Sequence, residues 1–330
     1  MKIAKMVKNC IPYGIMHKRE ETKQAITDTT HFAPTVFNAE GERMHFFYLQ
    51  DRVSTHNPYS FISPEYAKTK HIIWDRYNIA LPIHFYSHND IFDSKTTARK
   101  KFGILIESEQ ILPDSYERVL KQKEIIKDFS GIFTNSERVL EKYENAFFAP
   151  GGGVWYASIF GGGILDENAY EKKTKNISLV SSDKTMCKLH EYRKNMAFYY
   201  KKTNIVDTFG TFEGGKNIQI SDSLTDYRYS IVIENSISSF YFTEKIMNCF
   251  ASMTVPVYIG ATQISKFFNP DGIIEINPMD FGELDKILAG CCEKDYAERK
   301  SAIIDNFYRV KQYFCYEDYL YEHYHDMFSE

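Results

Sequence analysis

Short apolar runs separated by polar turns dominate the first half of the chain. Their length and their content of aromatic and β-branched residues favour strands over helices. Helical patterns lie after them, at residues 114–129 and 136–146. Short strands that alternate with helices are typical of βαβ units and of parallel sheets. The predicted strands are 44–49, 71–75, 81–87, 102–108 and 131–134.

The second half repeats this pattern, with a predicted helix at residues 190–202. Two such halves predict an α/β protein with two doubly wound, Rossmann-type domains. In folds of this kind ligands bind outside the carboxyl ends of the strands, so we expect the functional site in the cleft between the domains. The predicted strands here are 176–182, 205–210, 229–234, 255–260 and 272–277.

The segment between the two halves, residues 149–176, is rich in glycine. It does not fit a nucleotide-binding loop, because Val-Trp-Tyr follows the first glycine triplet and Ile-Leu-Asp follows the second. We therefore interpret it as a linker. The expected organisation is a first domain at 1–160, a linker at 161–175, a second domain at 176–305 and a C-terminal helix at 306–330.

Composition limits the possible functions. The 330 residues suffice for two cores, and a net charge of −4 gives no general basic field for nucleic acid. The chain contains no apolar run long enough for a membrane span, and its basic start lacks the apolar core of a signal peptide. The six cysteines show no metal-finger spacing and fit reduced thiols, which predicts a cytoplasmic location. Aromatic residues make up 15% of the chain and would suit surfaces that stack on sugars.

The stretch Glu234–Lys245 (ENSISSFYFTEK) carries an unusual mixture of polar groups after an apolar strand that we expect to end at Glu234. Thr243 fits the N-cap of the next helix, which places Glu244 and Lys245 in its first turn. A helix N-terminus binds phosphate through its backbone N–H groups, here with Lys245 as countercharge, and a nearby glutamate suits a ribose diol. This combination favours a sugar nucleotide. Further polar groups for the same pocket are Asn235, Ser236 and Tyr241.

Taken alone, the stretch is more simply a capped surface helix whose charged residues are solvated. The longer run Tyr227–Pro270, however, resembles the signature of glycosyltransferase family 10, the α-1,3/4-fucosyltransferases, in its bacterial form. The resemblance is dense over this run and thinner elsewhere. The matching positions are Glu234, Asn235, Ser236, Tyr241, Thr243, Glu244, Lys245, Thr254, Pro256, Val257 and Gly260.

The resemblance implies a GT-B-like fold, GDP-fucose as donor, and inversion of the β-linked donor to an α-linked product. It implies that Glu107, in ILIESEQILP, is the general base in an acceptor-binding first domain. Arg193, matched to a phosphate-binding arginine, would stabilise the GDP leaving group together with Lys245. Glu244 would contact the ribose, and the C-terminal helix would pack back on the first domain. Asn235 and Tyr241 would line the donor pocket of the second domain.

No D-x-D triplet of the metal-chelating kind occurs, so we expect no metal and no cofactor. Expected partners are the GDP-sugar donor and an acceptor oligosaccharide, with lipopolysaccharide O-antigen as one candidate. Nucleic acid is not expected, and membrane contact would be at most peripheral, at the inner face. Two alternatives stay open: another GDP-linked deoxysugar as donor, and a non-catalytic relative that only binds sugar nucleotide.

Overall fold

The computed structural model describes residues 35–52, 69–94, 98–157 and 163–329. The basic start of the chain and Gly161–Gly162 lie outside the described residues. The first six strands form one parallel sheet in the order β2-β1-β3-β4-β5-β6. They are β1 (His45–Gln50), β2 (Ile72–Asp75), β3 (Ile83–Ser87), β4 (Lys100–Leu105), β5 (Gly131–Thr134) and β6 (Ala146–Phe148).

A second parallel sheet has the order β11-β10-β9-β7-β8. In each sheet the first strand has the second strand on one side and the third on the other. The order of the strands therefore reverses between β1 and β3 in the first sheet and between β7 and β9 in the second. Ligands of doubly wound folds bind where the strand order reverses in this way. The second-sheet strands are β7 (Lys175–Val180), β8 (Asp207–Phe209), β9 (Tyr227–Ser238), β10 (Val255–Ala261) and β11 (Ile274–Glu275).

The helices within the described residues connect and cover these strands. In chain order they are α1 (Pro113–Lys121), α2 (Lys123–Ile126), α3 (Glu137–Lys142), α4 (Lys188–Thr203), α5 (Glu244–Ala251), α6 (Phe281–Leu288), α7 (Glu293–Glu298), α8 (Lys300–Val310) and α9 (Tyr316–Tyr324).

Successive side chains of a strand point to opposite faces of the sheet. In the first sheet both faces are buried, each by a different set of helices. Tyr86 and Leu105 face α1, α2 and α3, in a cluster with Tyr116 and Val139. The opposite face packs against α5, α9 and the segment after α9. Its most aromatic part is the ring of Phe328, whose centroid lies 5.2–6.1 Å from the rings of Phe47, Phe85, Phe102 and Phe133.

Polar contacts fix α9 against the first sheet. The indole Nε1 of Trp74 donates to Glu317 Oε1 at 2.8 Å, and the backbone N–H of Lys70 donates to Asp318 Oδ1 at 2.8 Å. Tyr324 OH donates to the carbonyl of Phe148 at 2.6 Å. Residues that follow the second sheet in sequence therefore complete one face of the first.

The carboxyl group of Glu317 gives a test of this packing. It is fully buried, and burial raises its pKa from an ordinary value of 4.5 to about 7. Between these values the folded chain holds a proton that the unfolded chain has lost, so the free energy of unfolding should fall as pH rises from 4.5 to 7. In Glu317→Gln, which keeps an acceptor oxygen for the indole, this component should disappear. Denaturant titrations at several pH values would measure it, and identical pH slopes in both proteins would contradict the assignment.

Several predicted element bounds are wrong. The C-terminal helix expected at 306–330 is divided into the end of α8, at Val310, and α9. The predicted helix 114–129 is divided at Gln122 into α1 and α2. The predicted strand 102–108 ends at Leu105, so Glu107 lies in a loop. The strand expected to end at Glu234 continues to Ser238. It does so because it stays paired with β10 after the register shifts between Ile259 and Ala261, so that Ala261 pairs with Ser238.

The first glycine triplet of the connecting segment makes close contacts with the rest of the protein. A Cβ on Gly151 would lie 2.8 Å from the carbonyl oxygen of Phe242, and one on Gly153 would lie 2.6 Å from that of Phe314. Two backbone hydrogen bonds hold this segment in place. The N–H of Gly151 donates to the carbonyl of Phe242, and the N–H of Val154 donates to the carbonyl of Phe314, both at 3.0 Å. Glycine is therefore required here for close approach of backbones.

Candidate active site

A cavity of about 760 Å³ opens at the carboxyl ends of β7 and β9, where the second sheet changes direction. Its wall includes Ser181, which follows β7, and Ile233 on β9. Three of the predicted site residues line it: Arg193, Glu244 and Lys245. The position and size of the cavity fit a ligand of the kind that doubly wound folds bind.

The start of α5 is held by a buried carboxylate. Glu234 has no exposed surface, and it accepts hydrogen bonds from Thr243 N (2.9 Å) and Thr243 Oγ1 (2.7 Å). Thr243 is the N-cap of α5, as predicted, and its hydroxyl oxygen accepts from Lys245 N at 3.4 Å. A carboxylate on the preceding strand thus fixes the helix N-terminus that faces the cavity.

Lys245 joins two carboxylates at this helix start. Its Nζ lies 3.3 Å from Glu234 Oε2 and 3.2 Å from Glu244 Oε1, and a quarter of its side-chain surface stays exposed. Burial alone would lower the pKa of Lys245, but the charges of Glu244 and Glu234 raise it overall. The lysine is therefore a fixed cation at the cavity wall.

Arg193 is a buried cation with incomplete hydrogen bonding. It is 9% exposed on α4, and its Nη1 donates to the carbonyl of Ile233 at 2.9 Å. Within the part of the chain that the structure describes, its Nε has no partner and no carboxylate forms an ion pair with it. Burial lowers its pKa, against the opposing charge of Glu234. An anion in the cavity would supply the missing partner.

Four side chains form a hydrogen-bonded series from α4 to the first domain. His190 Nε2 lies 2.9 Å from Asn235 Oδ1, and Asn235 Nδ2 donates to Tyr241 OH at 3.5 Å. Tyr241 OH in turn donates to Glu107 Oε1 at 3.0 Å. This last bond joins the loop after β4 of the first sheet to the segment before α5 of the second.

One oxygen of Glu107 accepts no hydrogen bond from the described residues at this junction. Its Oε1 accepts from Tyr241 and from the backbone N–H of Ser108 at 2.7 Å, and neither bond involves Oε2. Among the described residues Glu107 forms no ion pair. Glu109, by contrast, accepts from Arg138 Nη1 at 2.9 Å and from the hydroxyl of Ser136 at the start of α3. The carboxylate that remains open is therefore that of Glu107.

The six predicted residues fall into two linked groups. Arg193, Glu244 and Lys245 line the cavity, whereas Asn235, Tyr241 and Glu107 form the series beside it. Sequence reasoning missed His190, although it precedes Arg193 by one helical turn and therefore shares its face of α4. It also gave no role to Glu234, which is the buried anchor of the site.

Two further findings concern metals and membranes. Across the four described ranges, no group of three or more His, Cys, Asp or Glu side chains is arranged to hold a metal ion. No helix built from those residues has the length and apolar character that crossing a bilayer requires.

Comparison with known proteins finds a family match in the second half of the chain. Residues 170–324 match the family model described as glycosyltransferase family 10 (fucosyltransferase), C-term. The α-(1,3)-fucosyltransferase FucT of Helicobacter pylori is 29% identical over 92 residues, which are 27% of this chain and 18% of that protein. The match thus spans less than a fifth of the length of that relative.

Solved structures resemble the chain over a larger part of its length. TarM superposes with a TM-score of 0.50 at 12% identity, over 75% of this chain and 55% of that one. The crystal structure of an α1,3-fucosyltransferase with GDP superposes with a TM-score of 0.49 at 14% identity, over 91% and 94%. Together with its two parallel sheets, the likeness to TarM identifies the architecture as the GT-B fold.

Proposed function

We propose that this chain, whose residues 170–324 match the model of glycosyltransferase family 10, transfers L-fucose from GDP-fucose to a hydroxyl of an acceptor glycan, as an inverting α-1,3/4-fucosyltransferase. One structural observation carries the proposal. The hydrogen bond from Tyr241 to Glu107, at 3.0 Å, joins an open carboxylate of the first domain to the segment that forms the cavity in the second. A base and a donor site must meet in this way for transfer across a cleft.

The cavity residues fit the parts of a nucleoside diphosphate. Arg193 and Lys245 carry the positive charge that a diphosphate requires, and the N-terminus of α5 adds its backbone N–H groups. Glu244, with a fifth of its side chain exposed beside Lys245, would accept hydrogen bonds from the ribose hydroxyls. Asn235 and Tyr241, next to the cavity, would orient the sugar toward Glu107.

The proposed reaction is a single displacement. The acceptor oxygen forms a bond to the anomeric carbon of fucose while the bond from that carbon to the β-phosphate oxygen breaks. Glu107 Oε2 takes the proton of the acceptor hydroxyl, and the departing GDP takes the electron pair. Arg193 and Lys245 offset the charge that develops on the diphosphate. Attack from the face opposite GDP converts the β-linked donor into an α-linked product.

We further propose that no metal takes part, since two cations of the protein already face the diphosphate position. The acceptor is an oligosaccharide, with lipopolysaccharide O-antigen as a candidate. The protein would act in the cytoplasm, with at most peripheral contact at the inner face of the membrane.

Mass spectrometry tests the proposal directly. Incubation with GDP-fucose and N-acetyllactosamine in EDTA should give a product heavier by one fucose, at the rate seen without EDTA. The same acceptor with other GDP-linked deoxysugars serves as the control for donor identity. Activity that EDTA abolishes and added metal restores would contradict the metal-free mechanism. Transfer only from another donor would contradict the assignment of fucose, and binding of GDP without transfer from any donor would indicate a non-catalytic relative.

A further inference from the structure

A second cavity lies in the first domain, separate from the one described above. It has a volume of about 390 Å³ and opens where the first sheet changes direction. Arg52, which follows β1, and His88, which follows β3, lie on one part of its wall. Ser115 and Arg118 of α1 lie on another part, and α1 follows the loop that carries Glu107. The cavity and Glu107 therefore lie at the same edge of the same sheet.

Two residues of the cavity wall carry a buried polar atom that has no partner among the described residues. Among the described residues neither His88 Nδ1 nor Ser115 Oγ forms a hydrogen bond, although His88 is 5% exposed and Ser115 is 1% exposed. A buried polar atom without a partner costs free energy, and a ligand hydroxyl would remove that cost. Ser87 Oγ is also buried without a partner in the described ranges, but Ser87 does not line the cavity.

The backbone of His88 is held in an uncommon conformation. Its φ of 48° lies in the left-handed region, which residues other than glycine adopt rarely. Such strain persists only where the surroundings fix it, and it is concentrated at functional sites. Burial lowers the pKa of His88, against the opposing charges of Asp51, Glu107 and Asp90. A neutral imidazole can both donate and accept hydrogen bonds, as binding of hydroxyl groups requires.

The charges along the cavity wall are balanced. The positive side chains Arg52 and Arg118 face the negative side chains Asp90 and Asp93, and Arg52 pairs with both carboxylates. Arg118 lies over the ring of Phe92 at 3.9 Å. Among the described residues of the wall no net charge is left to select an anionic ligand, so the wall fits a neutral molecule that carries hydroxyl groups.

We infer that this cavity binds a neutral sugar ring of the acceptor, with His88 Nδ1 and Ser115 Oγ hydrogen-bonding to its hydroxyl groups. The inference rests on the proposed function and adds to it the part of the first domain that holds the acceptor beside Glu107. It assigns His88 and Ser115 to acceptor binding, with no part in the chemical step.

Binding of N-acetyllactosamine to the GDP-saturated protein, followed by calorimetry or ligand-observed NMR, tests the inference without transfer. We expect Ser115→Ala to raise the dissociation constant about 3- to 10-fold, the usual effect of one lost hydrogen bond. His88→Asn should do the same, and asparagine tolerates the left-handed backbone. Ser87→Ala is the matched control, because it removes an equally buried and unpartnered hydroxyl outside the cavity, and it should bind like the unmodified protein.

Steady-state kinetics give a second measurement. In both cavity variants KM for the acceptor should rise by the same factor, while KM for GDP-fucose and the GDP-induced rise in Tm stay unchanged. Three results would overturn the inference. They are equal affinity in Ser115→Ala and Ser87→Ala, no binding of N-acetyllactosamine to the unmodified protein, and tighter binding of sialylated N-acetyllactosamine. Acceptor binding with the expected variant pattern, but without transfer from any GDP-sugar, would instead contradict the proposed function alone.

Discussion

Replacement of Glu107 by glutamine is expected to lower turnover by roughly 10²- to 10⁴-fold, the usual contribution of a general base. The amide oxygen of glutamine can still accept the hydrogen bonds from Tyr241 OH and Ser108 N that now reach Oε1. The atom that changes is Oε2, which has no partner among the described residues and would receive the acceptor proton. The rise in Tm on adding GDP should therefore stay the same, while the rate of fucose transfer falls.

Glu109→Gln provides the control for this experiment. Glu109 lies two residues further along and pairs with Arg138 and Ser136 at the start of α3. Its loss should lower thermal stability slightly and leave turnover largely intact, because 30% of its side chain is exposed and such pairs contribute little. A folded Glu107→Gln protein with unchanged kcat would remove the assignment. An inactive Glu109→Gln with an active Glu107→Gln would transfer the role to Glu109.

Arg193→Met is expected to lower the rate of transfer about a hundredfold or more without lowering thermal stability. In the proposed mechanism the loss of rate follows from removing a cation that would face the charge developing on the diphosphate. Stability should hold, because the guanidinium is buried without an anionic partner among the described residues, and methionine removes that uncompensated charge. Kinetics with GDP-fucose and thermal unfolding of the same samples would measure both effects.

Lys194→Met is the matched control on the same helix. Lys194 is paired with Asp183 at 3.1 Å and does not line the cavity, so its loss should leave transfer unchanged. An Arg193→Met protein that transfers fucose at the normal rate would place the diphosphate elsewhere. One that loses stability together with activity would indicate a structural role for the arginine.

The sequence allowed the fold to be predicted because each strand and helix leaves a local pattern. Alternating short strands and helices gave the two parallel sheets, and the polar residue before α5 gave its N-cap, Thr243. The wrong bounds have physical reasons that are not local. Pairing with β10 carries β9 through Glu234 to Ser238, although that stretch is polar. The close contacts of Gly151 with Phe242 also involve residues far apart in sequence.

The candidate site was predictable only in part. The residues near the start of α5 are adjacent in sequence, so their grouping followed from helix capping. The bond between Tyr241 and Glu107 spans 134 positions, and no periodicity encodes such a pair. The burial of Glu234 beneath Thr243 and the partner of His190 likewise depend on how strands and helices pack. The cavity beside His88 depends on the order of strands in the first sheet.

The packing of residues 316–328 on the first sheet has a consequence for biosynthesis. The strands of that sheet are all synthesised by residue 148, but the aromatic face around Phe85 is covered by Phe328. Roughly 180 further residues must be translated first, which takes on the order of ten to forty seconds at ribosomal rates. During that interval the apolar face around Phe85 in the nascent first half lacks the cover that Phe328 provides. The two halves therefore complete their folding together, after translation has passed the second sheet.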